Sequence, residues 1–372
     1  MKDSHARRST PAPAPWRITI DNTFLMSHPW HLLPLFVGAQ VRSLGAIKGW
    51  SIGIGSLPRW AFRPDAYDGI ELSLTTSQVF GSNVGRRWRI RTGLIERYRA
   101  SGWPIAAFHA CFEHPPPYFE HAKLDLTGDD PRVREGAVGQ VEVAAMLGGA
   151  GAPPGSGGPV LVFHTGRAPA GASRRDRRAA LRRVAANLRP AVRLAESSGV
   201  TVTLENLPRS MGASEHFCSR RIEDVIEVLA DIGSAGVGVT FDYGHANTFC
   251  DEDPEYIDRF LDRLGPHIEY VHLHYNGSHR PGFAATVDPR RFEGFDQHLP
   301  LTRIPAAEMP RFAGHLRKIV TSTPVARRRL VGLELPQRSV FSIKRILPTG
   351  ATPQEQAESA RIVRRMLEEI GA

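Results

Sequence analysis

Apolar residues along this chain gather into short runs of five or six residues, rich in β-branched or aromatic side chains, most of which end on an ionisable group. The runs are Trp50–Gly55, Gly69–Leu74, Pro104–His109, Val160–His164, Val200–Glu205, Val237–Asp242, Ile268–His272 and Leu330–Glu334. They are too short for buried helices and read as strands. Between them the apolar period lengthens toward 3.6, which predicts helices over roughly 87–101, 131–148, 174–198, 219–232, 253–264, 305–320 and 353–370. The last carries full start signals: Thr352 as N-cap, Pro353 at the first helical position, and Ala357, Ala360, Val363, Leu367 and Ile370 on one face.

Alternating strands and helices argue for parallel strands with right-handed crossovers, and eight such units suit a closed barrel better than an open sheet. The expected fold is α/β, a single (β/α)8 TIM barrel with parallel strands over 46–372, preceded by an N-terminal extension, 1–45, that is partly flexible. The extension opens in Ser, Pro, Ala and Arg, and its segments Trp16–Ile20 and Trp30–Phe36 are expected to dock on the barrel. Its apolar stretch 24–38 is broken by His28, Pro29, His31 and Pro34, so neither a signal peptide nor a membrane span is expected.

The ends of these runs, and the turns that follow, carry the chemistry. His109, His164, Glu205, Asp242, His245, His272, Asp296, His298 and Glu334 follow one another along the chain. In a parallel barrel the C-terminal strand ends converge on one mouth, so residues far apart in sequence can surround one or more cations. A single histidine at a strand end has a bland structural explanation. A whole ring of imidazoles and carboxylates, buried without cations, would cost several kcal/mol per unpaired charge. Glu205 can bridge two cations, Asp242 and His245 share a turn, and His272 and His274 point the same way along a strand of period two. Asp296 and His298 repeat that spacing in the following loop.

Charge adds a preference for anions. Lys and Arg number 47 against 38 acidic residues, and the only lysines are Lys2, Lys48, Lys123, Lys318 and Lys344. Arginine forks match phosphate, so an anionic small molecule or nucleic acid fits; a plain compositional bias fits equally. Arg174–Arg178 and Arg327–Arg329 read as solvated faces. The glycine-rich stretch 148–158 lacks the Gly-Lys-Ser/Thr ending of a phosphate loop and reads as a connector. Cys111, Cys218 and Cys250 have no metal-type spacing and fit a reducing compartment, so a cytoplasmic location is expected.

The ligand order His, His, Glu, Asp-x-x-His, His, Asp-x-His, Glu resembles the xylose isomerase-like TIM-barrel superfamily, and within it the endonuclease IV (family 2 apurinic endonuclease) branch. The resemblance covers most of 46–372. It implies a trinuclear zinc site on His109, His164, Glu205, Asp242, His245, His272, Asp296, His298 and Glu334. The single-metal sugar isomerases and epimerases of the superfamily resemble the chain only at Glu205, Asp242, His272 and Glu334, with His245 nearby. Departures from the endonuclease include His164-Thr-Gly166 in place of His-Pro-Gly, and His274-Tyr-Asn276 in place of Asn-Asp-Ser. They leave the metal site better matched than a DNA substrate.

Two mechanisms follow. The main reading is a hydrolase: with up to three zinc ions, a hydroxide held near Glu205 would attack a phosphoester of an anionic small molecule or of damaged DNA, and the isomerase is its alternative. With one Mn or Mg ion, Glu205 and Glu334 would move protons between adjacent carbons of a sugar or sugar phosphate. Glu205, Glu334 and His245 are the candidate catalytic residues. His274, Arg167, Arg280 and Arg303 are candidate substrate contacts. A third reading, from a different class, is a non-catalytic partner subunit using residues 1–45 as an interface.

Overall fold

Successive side chains on a strand point to opposite faces, and in this chain the two faces carry different chemistry. A computed structural model of the protein describes residues 16–21, 66–73, 90, 92–101, 104–110, 125–148, 158–209, 215–277, 296–335 and 351–371. The strands are β1 (Arg17–Asp21), β2 (Gly69–Ser73), β3 (Ile105–His109), β4 (Val160–Phe163), β5 (Arg167–Pro169), β6 (Thr201–Glu205), β7 (Glu215–Phe217), β8 (Val237–Asp242), β9 (Ile268–Leu273) and β10 (Leu330–Leu333). Eight of them close a parallel barrel in the order β1-β2-β3-β4-β6-β8-β9-β10. The remaining two, β5 and β7, pair antiparallel as a separate ribbon.

The helices are α1 (Thr92–Ser101), α2 (Pro131–Leu147), α3 (Arg174–Ser198), α4 (Ile222–Ile232), α5 (Tyr243–Asn247), α6 (Tyr256–Leu264), α7 (Met309–Ser322), α8 (Val325–Arg328) and α9 (Pro353–Ile370). Local sequence sets their ends. Ser173 Oγ accepts from the Asp176 amide at the start of α3, which stops at Gly199 in the left-handed region. Thr352 and Glu355 form a reciprocal capping box at the start of α9. No described helix is long and apolar enough to cross a membrane.

One face of the strands packs on these helices: Ile18, Phe108, Leu161, Phe163, Leu204, Phe241, Val271 and Val331 join the large outer core. The opposite face fills the barrel. Ala107, Val160, Val162, Tyr270 and Leu330 form a second apolar cluster there. Thr203 and Thr240, buried on the same face of adjacent strands, meet hydroxyl to hydroxyl at 2.6 Å. Next along those strands come Glu205, in register with Thr240, and Asp242, in register with His272. The interior thus grades from hydrocarbon to hydroxyl to ionisable groups, and the last layer sits at the C-terminal strand ends.

The expected strand over Trp50–Gly55 lies outside the described residues, and the barrel closes without it. Its first strand is Arg17–Asp21, which pairs with β10 on one side and β2 on the other. Trp16–Ile20 is therefore part of the barrel wall and not a segment docked on it, so the wall draws on the stretch read as extension. The reason is period-two alternation: Ile18 and Ile20 enter the outer core while Thr19 is buried in the interior beside Tyr270. Trp30–Phe36 lies outside the described residues.

Candidate metal centre

Glu205 is the hub of the mouth. It is fully buried, and its two oxygens face different histidine pairs. Oε2 lies 3.2 Å from His109 Nε2 and 3.1 Å from His164 Nε2, whereas Oε1 lies 3.3 Å from His245 Nδ1 and 3.2 Å from His272 Nδ1. β3, β6 and β9 end on or near these groups, so strand register alone brings together residues from 109 to 272.

Asp242 ends β8 and at the same time caps the five-residue helix α5, accepting from the His245 amide. That cap fixes the turn that swings His245 back over the mouth. The His245 ring is held at both nitrogens, Nδ1 2.9 Å from the Asn206 carbonyl and Nε2 3.1 Å from Asp296 Oδ2. His274 Nε2 lies 3.0 Å from Asp242 Oδ1, and its ring sits where any side chain on Gly244 would collide: an added Cβ would stand 2.0 Å from the imidazole. A glycine in Asp242-Tyr-Gly-His245 is thus required by the close approach of His274.

The Asp296-x-His298 element is tied to β9 by a two-hydrogen-bond bridge between Tyr275 and Leu299 and by the Gly277 amide donating to Gln297 Oε1 at 2.8 Å. His298 has φ +44, a left-handed backbone that is uncommon outside glycine, and its ring turns back so that Nε2 meets Asp296 Oδ2 at 2.5 Å while Nδ1 lies 3.1 Å from the Glu334 carbonyl. The His274 and His298 rings stack with centroids 4.2 Å apart.

Among the described residues, four overlapping groups could hold a cation: His109-His164-Glu205, Glu205-Asp242-His272-Glu334, Asp242-His245-His274-Glu334 and His245-His274-Asp296-His298. All nine residues expected as ligands appear in them, together with His274, which was expected to touch substrate instead. The donor sets differ. Three carboxylates and one imidazole suit a hard cation such as Mn or Mg, and three imidazoles with one carboxylate suit zinc. Within these groups two buried atoms, Glu334 Oε2 and His274 Nδ1, make no hydrogen bond, although Glu334 Oε2 does lie 3.4 Å from His272 Nδ1. Unmet acceptors inside such a ring fit coordination of a cation.

Charge within the ring is mutually compensated. Burial alone would discharge His109 and His298, but Glu205 and Asp296 outweigh it and push both up to about 9. His245 and His272 are likewise held well above the ordinary histidine range, against burial, by the carboxylates around them. Burial prevails at His164, which is lowered. Glu205, Asp296 and Glu334 stay well below the usual carboxylate range, because neighbouring imidazoles overcome their desolvation. Protons occupy the places that cations would take.

The predicted substrate contacts divide. Arg303 gives its guanidinium to Glu355 at 2.7 Å, on the exposed start of α9, so it serves that helix and not the ligand ring. Arg167 opens β5, in the separate ribbon, where its carbonyl accepts from the Thr127 hydroxyl. Arg280 lies outside the described residues, as does Cys111. Cys218 and Cys250 are buried free thiols, pushed up by burial to about 12 and about 11.

Two supporting residues were given no role from sequence. Glu71, in mid-strand on β2, reaches His272. Asn206 splices β6 to β8: its Nδ2 donates to the Asp242 carbonyl at 2.9 Å and its Oδ1 accepts from the Asp242 amide at 2.8 Å. It thereby ties the Asp242 backbone to the residue that follows Glu205. Asn206→Leu is expected to strand both Asp242 backbone groups and to cost about 2–4 kcal/mol in urea unfolding, with weaker metal uptake. Unchanged stability and affinity would show that the splice is dispensable.

The sequence model described as xylose isomerase-like TIM barrel matches residues 65–326. The Methanocaldococcus jannaschii protein MJ1311, uncharacterised, is 35% identical over 88 residues, which is 24% of this chain and 28% of that protein, so the chain matches well under two thirds of its length. Among solved structures, a D-tagatose 3-epimerase-like protein superposes with TM-score 0.57 at 18% identity, covering 95% of this chain and 98% of the other. D-psicose 3-epimerase in the presence of D-fructose gives 0.54 at 13% identity, covering 95% and 99%, and L-ribulose 3-epimerase 0.51 at 15%, covering 96% and 98%. At these identities the likeness is one of fold.

Proposed function

Because the chain belongs to the xylose isomerase-like TIM-barrel family, we propose that it is a divalent-metal-dependent isomerase or epimerase of a small sugar or sugar derivative. The observation that carries this reading is the Glu205-Asp242-His272-Glu334 group, assembled from the ends of four barrel strands. Structural neighbours named as sugar 3-epimerases support it, and they make damaged DNA the less favoured partner.

Those four residues would hold one Mn or Mg ion, which when bound supplies a positive charge to polarise a sugar carbonyl and an adjacent hydroxyl. The chain's own groups would do the proton work. Glu205 and Glu334 both face His272 Nδ1, at 3.2 and 3.4 Å, from strands on either side of it in the barrel order. One carboxylate removes a proton from the carbon beside the carbonyl and the other returns one to the opposite face, or to the neighbouring carbon. His109, His164 and His245 would hold Glu205 ionised and in place. His274, stacked on His298 at the edge of the group, would offer its Nδ1, which makes no hydrogen bond within the protein, to a sugar hydroxyl.

A second reading has its own support. The two Glu205 oxygens, each facing a separate histidine pair, have the disposition of a bridging carboxylate, and the His245-His274-Asp296-His298 group is zinc-like. A cluster of two or three zinc ions would then activate hydroxide for phosphoester hydrolysis.

One set of measurements separates them. Metal content per chain is determined on protein purified without chelator, and ketoses are incubated with it in deuterated water with Mn. The expected result is about one exchangeable metal per chain and deuterium entering beside the carbonyl. Asp296→Ala/His298→Ala is expected to keep exchange within about tenfold, since neither residue belongs to the four-residue group. Two or three tightly held zinc ions, no exchange with any ketose, and phosphoester cleavage abolished in the double variant would establish the hydrolase instead.

A further inference from the structure

The imidazole of His272 has two nitrogens with separate surroundings. Nδ1 faces the ligand group, with Glu205 at 3.2 Å, Glu334 at 3.4 Å and Asp242 at 3.7 Å. Nε2 points the other way, to Glu71, whose two oxygens lie 3.1 and 3.0 Å from it. Glu71 is buried and belongs to none of the four ligand groups.

Glu71 is itself held from beneath. Tyr270 donates its hydroxyl proton to Glu71 Oε2 at 2.8 Å. Thr19 Oγ1 packs against the same hydroxyl at 2.9 Å and also reaches the Val331 carbonyl, to which it donates at 3.2 Å. Space for this arrangement comes from Gly332: a Cβ there would stand 2.2 Å from the Tyr270 hydroxyl and 3.2 Å from Glu71 Oε2. Residues of β1, β2, β9 and β10 thus converge below the mouth to aim one carboxylate at one ring nitrogen.

We propose that Glu71 is a positioning residue, which keeps the proton of His272 on Nε2 and so leaves the Nδ1 lone pair for a cation shared with Glu205, Asp242 and Glu334. The inference rests on the metal-dependent reading above. A carboxylate can only accept, so the nitrogen facing Glu71 keeps its hydrogen; when a cation displaces the proton that Nδ1 shares with Glu205 in the metal-free protein, Nδ1 is the nitrogen left with the lone pair. Tyr270 and Thr19 restrict the carboxylate to one orientation, and the imidazole with it.

The test is Glu71→Gln in the full chain. Tyr270 still donates to the amide oxygen, which turns the amide NH2 toward His272 Nε2. That nitrogen must then accept, and the proton moves to Nδ1. Calorimetric titration of the chelator-stripped protein with Mn is expected to show affinity weakened by about 10–100-fold. In the zinc-loaded protein, the His272 Nε2–H resonance seen by nitrogen-edited NMR in wild type is expected to disappear in the variant, which a role confined to barrel stability would not produce.

Tyr270→Phe removes the anchor and keeps the carboxylate, so a loss of roughly 3–10-fold is expected. Should Glu71→Gln not fold, this second variant decides, and affinity unchanged within about twofold overturns the inference. If Glu71→Gln folds, wild-type affinity with the Nε2–H resonance intact overturns it alone. A wild-type chain that takes up no metal overturns the functional reading and the inference with it.

Discussion

Glu205→Gln is expected to lose metal uptake at the four-residue group and to lower the rate of proton exchange by roughly 10²–10⁴-fold. The substitution keeps volume and removes the charge. Glu205 is fully buried and faces four imidazoles within 3.3 Å, so no solvent can replace what the carboxylate supplies. An amide can accept from two of those rings at most, and its NH2 opposes the others. In the metal-free protein the loss leaves buried imidazoles without their counter-charge, and they deprotonate. Metal content and deuterium exchange measured side by side give the answer: a variant that retains both places the chemistry elsewhere in the chain.

The second large effect is on stability, and its sign depends on pH. His109 and His298, raised to about 9, and His245 and His272, raised well above the ordinary value, each contribute stability that is full below about pH 6.5 and is lost as pH rises through the folded value. Glu205, Asp296 and Glu334, lowered, contribute stability present above about pH 4.5 and lost as pH falls further. His164, lowered by burial, runs opposite to the other histidines. The metal-free chain is therefore expected to be most stable near pH 5–6.5 and to weaken by a few kcal/mol toward pH 9. A cation displaces the same protons, so the rise in Tm produced by Mn over chelator is expected to be small near pH 5.5 and to grow steadily to pH 8.5. A pH-independent difference would mean that metal binds without displacing those protons.

Most of the barrel was legible because each strand near the mouth ends on a group that only a polar site tolerates. Val200–Glu205 and Val237–Asp242 announce strand, direction and site together. β1 was passed over although Arg17-Ile-Thr-Ile-Asp21 alternates correctly and ends on an acid, because it follows a Ser- and Pro-rich leader and Trp50–Gly55 matched the strand composition as well. His274 was assigned to substrate because period two shows only that it shares a face with His272, and the distance to Asp242 comes from the turn at Gly244. Glu71 was silent for a different reason. A glutamate in mid-strand reads as a solvent-facing residue of an alternating pattern, and only barrel closure turns that face inward to His272. Arg303 looked close to the mouth in sequence, and a pairing with Glu355, 52 residues later, removed it.

The grading of the barrel interior from hydrocarbon to charge has a consequence for how the fold checks itself. A one-residue slip of β6 would exchange Glu205 for Leu204 at the mouth and turn the carboxylate into the helix layer. The outer core already opposes such a slip, because it would have to bury that carboxylate among apolar side chains. The ring of ligands adds a second check, since its members come from β3, β6, β8 and β9 and from segments as distant as His109 and Glu334. A cation that binds the complete ring therefore acts as a proofreader of strand register: it rewards correctly threaded barrels alone and draws misthreaded ones back through the equilibrium between them.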